Sequence, residues 1–437
     1  MRAASIALVA VLGLLCAPSS GSAGPQDLAP AARSILGADQ GVYIEAADGA
    51  ALLSQAAATP VHPASVSKVP TTLALLRKLG PDHRFITTFT AKGRVTDGTL
   101  YGDLIVASDG DPSLVDEDAL LVAERLRQSG VNRVSGTLRV TAPLTFDWKI
   151  DSDGASLRRA LSGQAPAAAL SAVRALDLVN ATASTAGSLA GTTAGLSTGG
   201  SLVPLGIIFG TATATAPASA SSAAGGGGQN PVERTGERPL IVHRSQPLLP
   251  LVKSLNDYSN NIFAPFAEAA GGAAAVQSLA RSVVPEEMRS EVTLGDGAGA
   301  DPTNRMSPRV AVKLLRVLEQ ELAKSSHALS DILPVAGIDD GTLHDRLNGP
   351  GEAGHVLGKT GTFGDYGASA LIGAIRTTEH GTLYFAILNH NVPVPQARRR
   401  QDAFVRYLLT QFHTASWSYQ RDPRPAITRA EVAIMAP

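Results

Sequence analysis

The sequence predicts an α/β fold, an antiparallel sheet flanked by helices and interrupted by an insertion that is mainly β or partly disordered. Three observations predict it. Two apolar runs late in the chain, 368–375 and 383–388, have the length and bounding turns of buried strands. Amphipathic segments of helical period lie both before and after them. Between Asp177 and Glu233 there is no charged residue, and Ala, Gly, Ser and Thr dominate. That shift in composition marks an insertion between two regularly patterned parts.

Arg2 precedes an apolar run over 6–15, followed by Gly21-Ser22-Ala23, the order of a secretory signal peptide over 1–23. The run is too short for a membrane anchor, which needs about 20 apolar residues. Cys16 suggests a lipoprotein, but Leu15 stands where a small residue is normally required. Export to the periplasm or the extracellular wall is therefore expected. Cys16 is the only cysteine, so a mature chain would have neither disulfides nor thiolate catalysis. No later segment is long and apolar enough to be an integral membrane segment.

Residues 24–84 read as a helix, a strand at 41–44 and a second helix carrying Leu73, Leu76 and Leu79 on one face. From 85 to 146 the pattern is short strands around one helix, 119–128, which stops at Gly130. In the charge-free tract 178–232 only 202–209 resembles a strand. A segment this poor in large apolar side chains recovers little of its ordering entropy, so 216–229 is expected to be mobile. Helical spacing resumes with Leu248, Leu251, Val252 and Leu255, and further helices are expected over 308–324 and 395–412. The 437 residues suffice for two or three domains. The expected division is a catalytic domain of 24–84 and 240–437, with 85–239 as an inserted accessory region.

The formal net charge of -1 gives no sign of a nucleic-acid partner. The nine histidines are scattered, with no His-x-x-x-His pair, so no metal and no cofactor is expected.

Three short motifs carry chemistry. Ser65-Val66-Ser67-Lys68 follows Pro63, which suits a helix entry. Residues three apart share a helix face, so Lys68 can reach Ser65. A serine hydroxyl needs a neighbouring base, and a lysine serves if burial and nearby cations such as Lys359 lower its pKa. Ser259-Asn260-Asn261 offers a hydroxyl and a carboxamide two residues apart, suited to passing a proton and holding a peptide carbonyl. Ser254-Leu255-Asn256 has the same spacing, but Leu255 belongs to the apolar helix face. Lys359-Thr360-Gly361-Thr362 precedes an apolar strand. Its cation and hydroxyls suit a carboxylate, and Gly361 would let a substrate backbone lie against the strand edge. Each motif alone is weak. Together and in this order they are the motif set of penicillin-binding proteins and serine β-lactamases.

The chain resembles the D-alanyl-D-alanine carboxypeptidase/endopeptidase family of penicillin-binding proteins, of the low-molecular-mass class C type. The stretches Tyr101-Gly102-Asp103-Leu104, Asp109-Gly110-Asp111-Pro112, Asp296-Gly297-Ala298-Gly299, Leu333-Pro334-Val335-Ala336-Gly337 and Gly341-Thr342-Leu343 extend the resemblance over about 40–150 and 240–415. It implies a serine β-lactamase/transpeptidase-like domain, peptidoglycan stem peptides as substrates and acylation by β-lactam antibiotics. It further implies Ser65 as nucleophile, Lys68 as general base, Ser259 as proton relay and Asn261 as a holder of the substrate amide. Lys359, Thr360 and Thr362 would position the carboxylate, and the N–H groups of Ser65 and Thr362 would form the oxyanion hole.

Pro70 departs from the pattern, standing within the nucleophile helix at an expected cost of about 3 kcal/mol. Pro265 replaces a common Glu, and Ala298 replaces the serine of an Asp-Gly-Ser-Gly turn. A serine β-lactamase shares the core chemistry but would need a dedicated deacylating group. The alternative outside enzymes is a catalytically degenerate homologue that binds wall peptide.

Overall fold

The computed structural model describes residues 27–142, 144–186, 206–210, 236–258, 263–364, 367–422 and 429–435, with backbone alone for 177–186. The expected leader 1–23 and the stretch 216–229 lie outside the described residues.

The apolar runs late in the chain form the centre of one antiparallel sheet. Its strand order is Val356–Phe363, Ala368–Thr377, Thr382–His390, Gly41–Glu45 and Ala51–Gln55, and Thr414–Ala415 adds to the far end of the second strand. The runs are buried at every position and almost wholly apolar because both faces are covered. Leu371, Ile375, Phe385 and Ile387 meet Leu36, Phe404 and Leu408 from the helices Ala29–Leu36 and Val394–Gln411. Ala370, Ile372, Ala386 and Leu388 turn the other way, into a core with Leu73 of Lys68–Leu79 and Leu314 and Leu315 of Pro308–Ala323. Strand alternation thus produces a three-layer α/β/α body. The last of these helices has Pro308 in its first turn and Ser307 as N-cap, whose hydroxyl accepts from Val310 N–H.

A second sheet holds the inserted half. Its order is Glu431–Ile434, Glu237–Arg244, Ile86–Thr96, Thr99–Ser108, Arg133–Val134 and Ile208–Phe209. The central hairpin closes at Asp97 and Gly98, with φ of 48° and 74°, the paired left-handed residues of a type I′ turn. Asp116–Gln128 packs on this sheet through Ala119, Val122, Ala123 and Leu126. Its first turn holds Asp116, Glu117 and Asp118, whose charges suit a helix N-terminus.

Two expectations change. The division at 240 cuts the strand Glu237–Arg244, which pairs with both Ile86–Thr96 and Glu431–Ile434. Residues 240–244 and 431–434 therefore belong to the second sheet. The tract from 178 onward is also not uniformly irregular, since the helix Ala167–Ala186 runs into it. That segment is rich in alanine and free of Gly and Pro, so its simple composition is a helix former's. Within 202–209, Ile207 is buried and its N–H donates to Leu161 O, while Ile208–Phe209 pairs with Arg133–Val134.

Candidate active site

Ser65 sits in the 3-10 turn Ala64–Ser67, which feeds directly into Lys68–Leu79. The tighter turn ends where Lys68 N–H donates to Ser65 O. Pro70 is consequently the third residue of the α-helix, where no intrahelical donor is required, and the expected cost does not arise. Lys68 is fully buried. Its Nζ lies 2.7 Å from Ser65 Oγ and 2.6 Å from Ala298 O, and 5.6 Å from the centre of the Phe263 ring. Burial pushes the ammonium down to a pKa of about 7, against the Asp296 charge, which raises it. Burial, not repulsion from Lys359, is thus what tunes this lysine.

The residues after 294 form the wall behind that pair. Asp296 accepts from the N–H groups of Gly299, Ala300 and Asp301 and from Asn304 Nδ2. This folds the chain back and aims Ala298 O at Lys68. The serine that Ala298 replaces is not needed for that contact, because a backbone carbonyl makes it. Gly299 has φ of 92°, and a Cβ there would stand 2.1 Å from Ala64 O, so only glycine lets the two turns touch.

His62 braces the same turn from the other side. Its Nδ1 accepts from Ala64 N–H at 3.1 Å, so the ring proton is on Nε2, which donates to Asp301 O at 2.9 Å. The ring stacks on Phe363 at 3.9 Å. Burial holds its pKa below the ordinary value, favouring this neutral form. Ala64 itself has φ of 48°, a left-handed backbone strained for alanine and adjoining Ser65.

The Lys-Thr-Gly segment lies in the edge strand Val356–Phe363, against this turn. On its outer edge Gly358 N–H donates to Pro334 O and Val356 O accepts from Ala336 N–H. Alternation turns the backbone groups of Thr360 and Thr362 toward the same open edge. Lys359 is fully buried and donates to Thr360 O at 3.0 Å. Its pKa is pushed well down by burial first and the Lys68 charge second, opposed by Asp257. Thr360 Oγ1 donates to Thr342 Oγ1 at 2.9 Å, and Thr362 Oγ1 accepts from Arg398 Nη2 at 2.8 Å. Gly361 has a structural contact of its own. A Cβ on it would meet Pro63 O at 2.8 Å and Ala64 Cβ at 3.1 Å, so this glycine seats the strand against the Ala64–Ser67 turn.

Ser259 and Asn261 lie outside the described residues. The chain leaves the helix Leu248–Tyr258 just before them and enters Phe263–Ala269 just after. Both flanks reach the site: Asp257 acts on Lys359, and Phe263 faces Lys68. The rival spacing is structural. Leu255 is buried, Asn256 Nδ2 donates to Ile332 O and Ser254 Oγ donates to Pro250 O. Sequence reasoning missed the roles of His62, Asp296 and Arg398; only Asp296 carried a signal, the glycines two apart that follow it.

A serine on a helical turn with a buried lysine against its hydroxyl, beside a Lys-Thr-Gly edge strand, defines a serine-type peptidase of the penicillin-binding class. The chain belongs to the D-Ala-D-Ala carboxypeptidase 3 (S13) family, whose sequence model matches residues 27–190 and 225–411. A D-alanyl-D-alanine carboxypeptidase of Actinomadura sp. (strain R39) is 28% identical over 428 residues, spanning 82% of this chain and 78% of the relative. The fold is similar to that of a predatory endopeptidase from Bdellovibrio bacteriovorus, solved acylated by penicillin G, with a TM-score of 0.67 at 19% identity over 90% of this chain and 99% of that one. It is also similar to penicillin binding protein 4 of Haemophilus influenzae, solved with a β-lactam, with a TM-score of 0.57 at 18% identity over 88% of this chain and 98% of that one.

Proposed function

We propose that the protein is an exported D-alanyl-D-alanine carboxypeptidase/endopeptidase that trims peptidoglycan stem peptides through an acyl-enzyme on Ser65. The observation that carries this reading is the 2.7 Å approach of Lys68 Nζ to Ser65 Oγ, with the lysine tuned to a pKa of about 7. Neutral Lys68 takes the Ser65 proton as Oγ bonds to the carbonyl carbon of the penultimate D-alanine. The oxyanion faces the N–H groups of Ser65 and Thr362. The C–N bond then breaks, and the departing D-alanine amine receives a proton through Ser259. Water, deprotonated by Lys68, attacks the ester and frees Ser65. Asn261 holds the substrate amide, and Lys359, Thr360 and Thr362 hold its carboxylate. A β-lactam follows the same first half, and its ring nitrogen stays tethered as the leaving group. The leader over 1–23 supports export, where the substrate is found.

Intact-mass analysis after penicillin G, with peptide mapping, tests the reading alongside incubation with a pentapeptide ending in D-alanyl-D-alanine. One penicilloyl group on the peptide containing Ser65, released slowly, and free D-alanine from the pentapeptide are expected. Fast release of the adduct would make the protein a β-lactamase. A stable adduct without peptide turnover would make it a wall-peptide-binding homologue. No adduct, or one elsewhere, would remove Ser65 from the mechanism.

A further inference from the structure

Arg398 lies on the helix Val394–Gln411, outside all three motifs, yet its Nη2 donates to Thr362 Oγ1 at 2.8 Å. Both residues are exposed. A threonine hydroxyl has one proton and two lone pairs. With the guanidinium N–H on one lone pair, the hydroxyl proton is left to be donated elsewhere, and an anion is the acceptor this charge favours. The acid that would neutralise Arg398 is already engaged. Asp402, one helical turn on, is held by Arg346 Nε at 3.0 Å and Nη2 at 2.6 Å. Among the described residues no carboxylate forms an ion pair with Arg398. Partial burial, and then the Arg346 charge, lower its pKa from the usual arginine value, against Asp402. Lys359, the motif's own cation, is fully buried and donates to Thr360 O. The exposed positive charge beside Thr362 is therefore that of Arg398.

We propose that Arg398, beside and through the Thr362 hydroxyl, recognises the free C-terminal carboxylate of the substrate and sets the preference for carboxylate-ended over amidated peptides. The inference rests on the reading of Ser65 as the acylated serine. It concerns binding and orientation, so the readout is a ratio that a packing role would leave alone.

The test compares kcat/KM for a peptide ending in D-alanyl-D-alanine with that for its C-terminal amide. Acylation by penicillin G is compared in the same way with acylation by its methyl ester. Arg398→Gln is expected to lower both carboxylate-to-masked ratios by about 10- to 100-fold, the range of hydrogen bonds to charged groups. Arg398→Lys should recover part of the loss, keeping the charge without the planar fork. If Arg398→Gln does not fold, Arg398→Lys and Thr362→Val must each lower the ratios. Equal losses on both substrates, or unchanged ratios, overturn the inference. A wild-type protein that is never acylated overturns the functional reading instead. Calorimetric binding of acetyl-D-alanyl-D-alanine against its amide then decides the carboxylate preference by itself.

Discussion

Lys68 Nζ stands 2.7 Å from Ser65 Oγ on a side chain that is fully buried and carries a pKa of about 7. A general base acts in its neutral form, which this lysine adopts above about pH 7 and loses as the pH falls. Acylation by penicillin should therefore rise with pH through the neutral range and level off above it. Rapid-mixing measurements between about pH 5 and 9 read this limb. Lys68→Ala should acylate at least ~100-fold more slowly, in line with the usual contribution of a positioned base. A flat profile, or fast labelling of the variant, would assign the proton to another group.

Asp296 acts on Lys68 only through space and through the turn it folds. Its negative charge holds the pKa of Lys68 up, while its oxygens gather three N–H groups and Asn304. Asp296→Asn should move the acid limb of acylation to lower pH, because the variant removes the charge that favours the ammonium. Loss of charge-assisted bonds should also lower stability by about 1.5–3 kcal/mol. Denaturant unfolding gives the second quantity and the pH–rate profile the first. A limb moving to higher pH would contradict the sign.

The sequence revealed what depends on short spacing and hid what depends on distant backbone. Ser65 and Lys68 are one helical step apart, so their meeting is a local property of the chain. The strands Ala368–Thr377 and Thr382–His390 are apolar on both faces, which marks them without any knowledge of their partners. By contrast, the acceptor facing Lys68 is the carbonyl of Ala298, 230 positions away, and a carbonyl has no residue type to read. Glu431–Ile434 is four residues long and gains its strand character from pairing with Glu237–Arg244. Arg398 looked like one of several arginines on an amphipathic helix until the fold set it against Thr362.

His243 makes the second sheet sensitive to alkali. It is fully buried between Asp111 and Asp118, each ring nitrogen 3.3 Å from a carboxylate oxygen. Burial alone would lower its pKa, but the two acids outweigh that and raise it to about 9. An unfolded histidine titrates near 6.5, so this contribution is complete below about pH 6.5 and fades as the pH rises through about 9. Thermal unfolding followed from neutral to alkaline pH should show that decline. His243→Ala should cost about 3–5 kcal/mol, because two acids are left facing each other without their cation. The alkaline decline should also be blunted in the variant; an unchanged decline would place its origin elsewhere.

His62 is the most direct test of whether the strained turn before Ser65 matters to catalysis. Ala64 holds φ of 48°, a conformation costing alanine about 1–2 kcal/mol, and its N–H is accepted by His62 Nδ1 at 3.1 Å. That acceptor exists only in the neutral ring. On protonation Nδ1 becomes a donor facing another donor, and the turn loses its brace. Desolvation, with Arg305, lowers the pKa of His62, while the Asp301 carbonyl, Asp296 and the Asp301 charge raise it, and the balance lies below the usual value. Acylation should accordingly fall with one proton below the Lys68 value and with two once His62 titrates as well. His62→Ala should slow acylation by about 10-fold, the effect of one lost hydrogen bond on a group that must be positioned. His62→Asn, whose side-chain oxygen can replace Nδ1 as acceptor, should restore part of the rate although it loses the stack on Phe363. It should also keep a single-proton limb throughout, since asparagine does not titrate. A purely structural role predicts the reverse: both variants would lose thermal stability together, and the folded fraction of each would keep the wild-type rate and the wild-type profile.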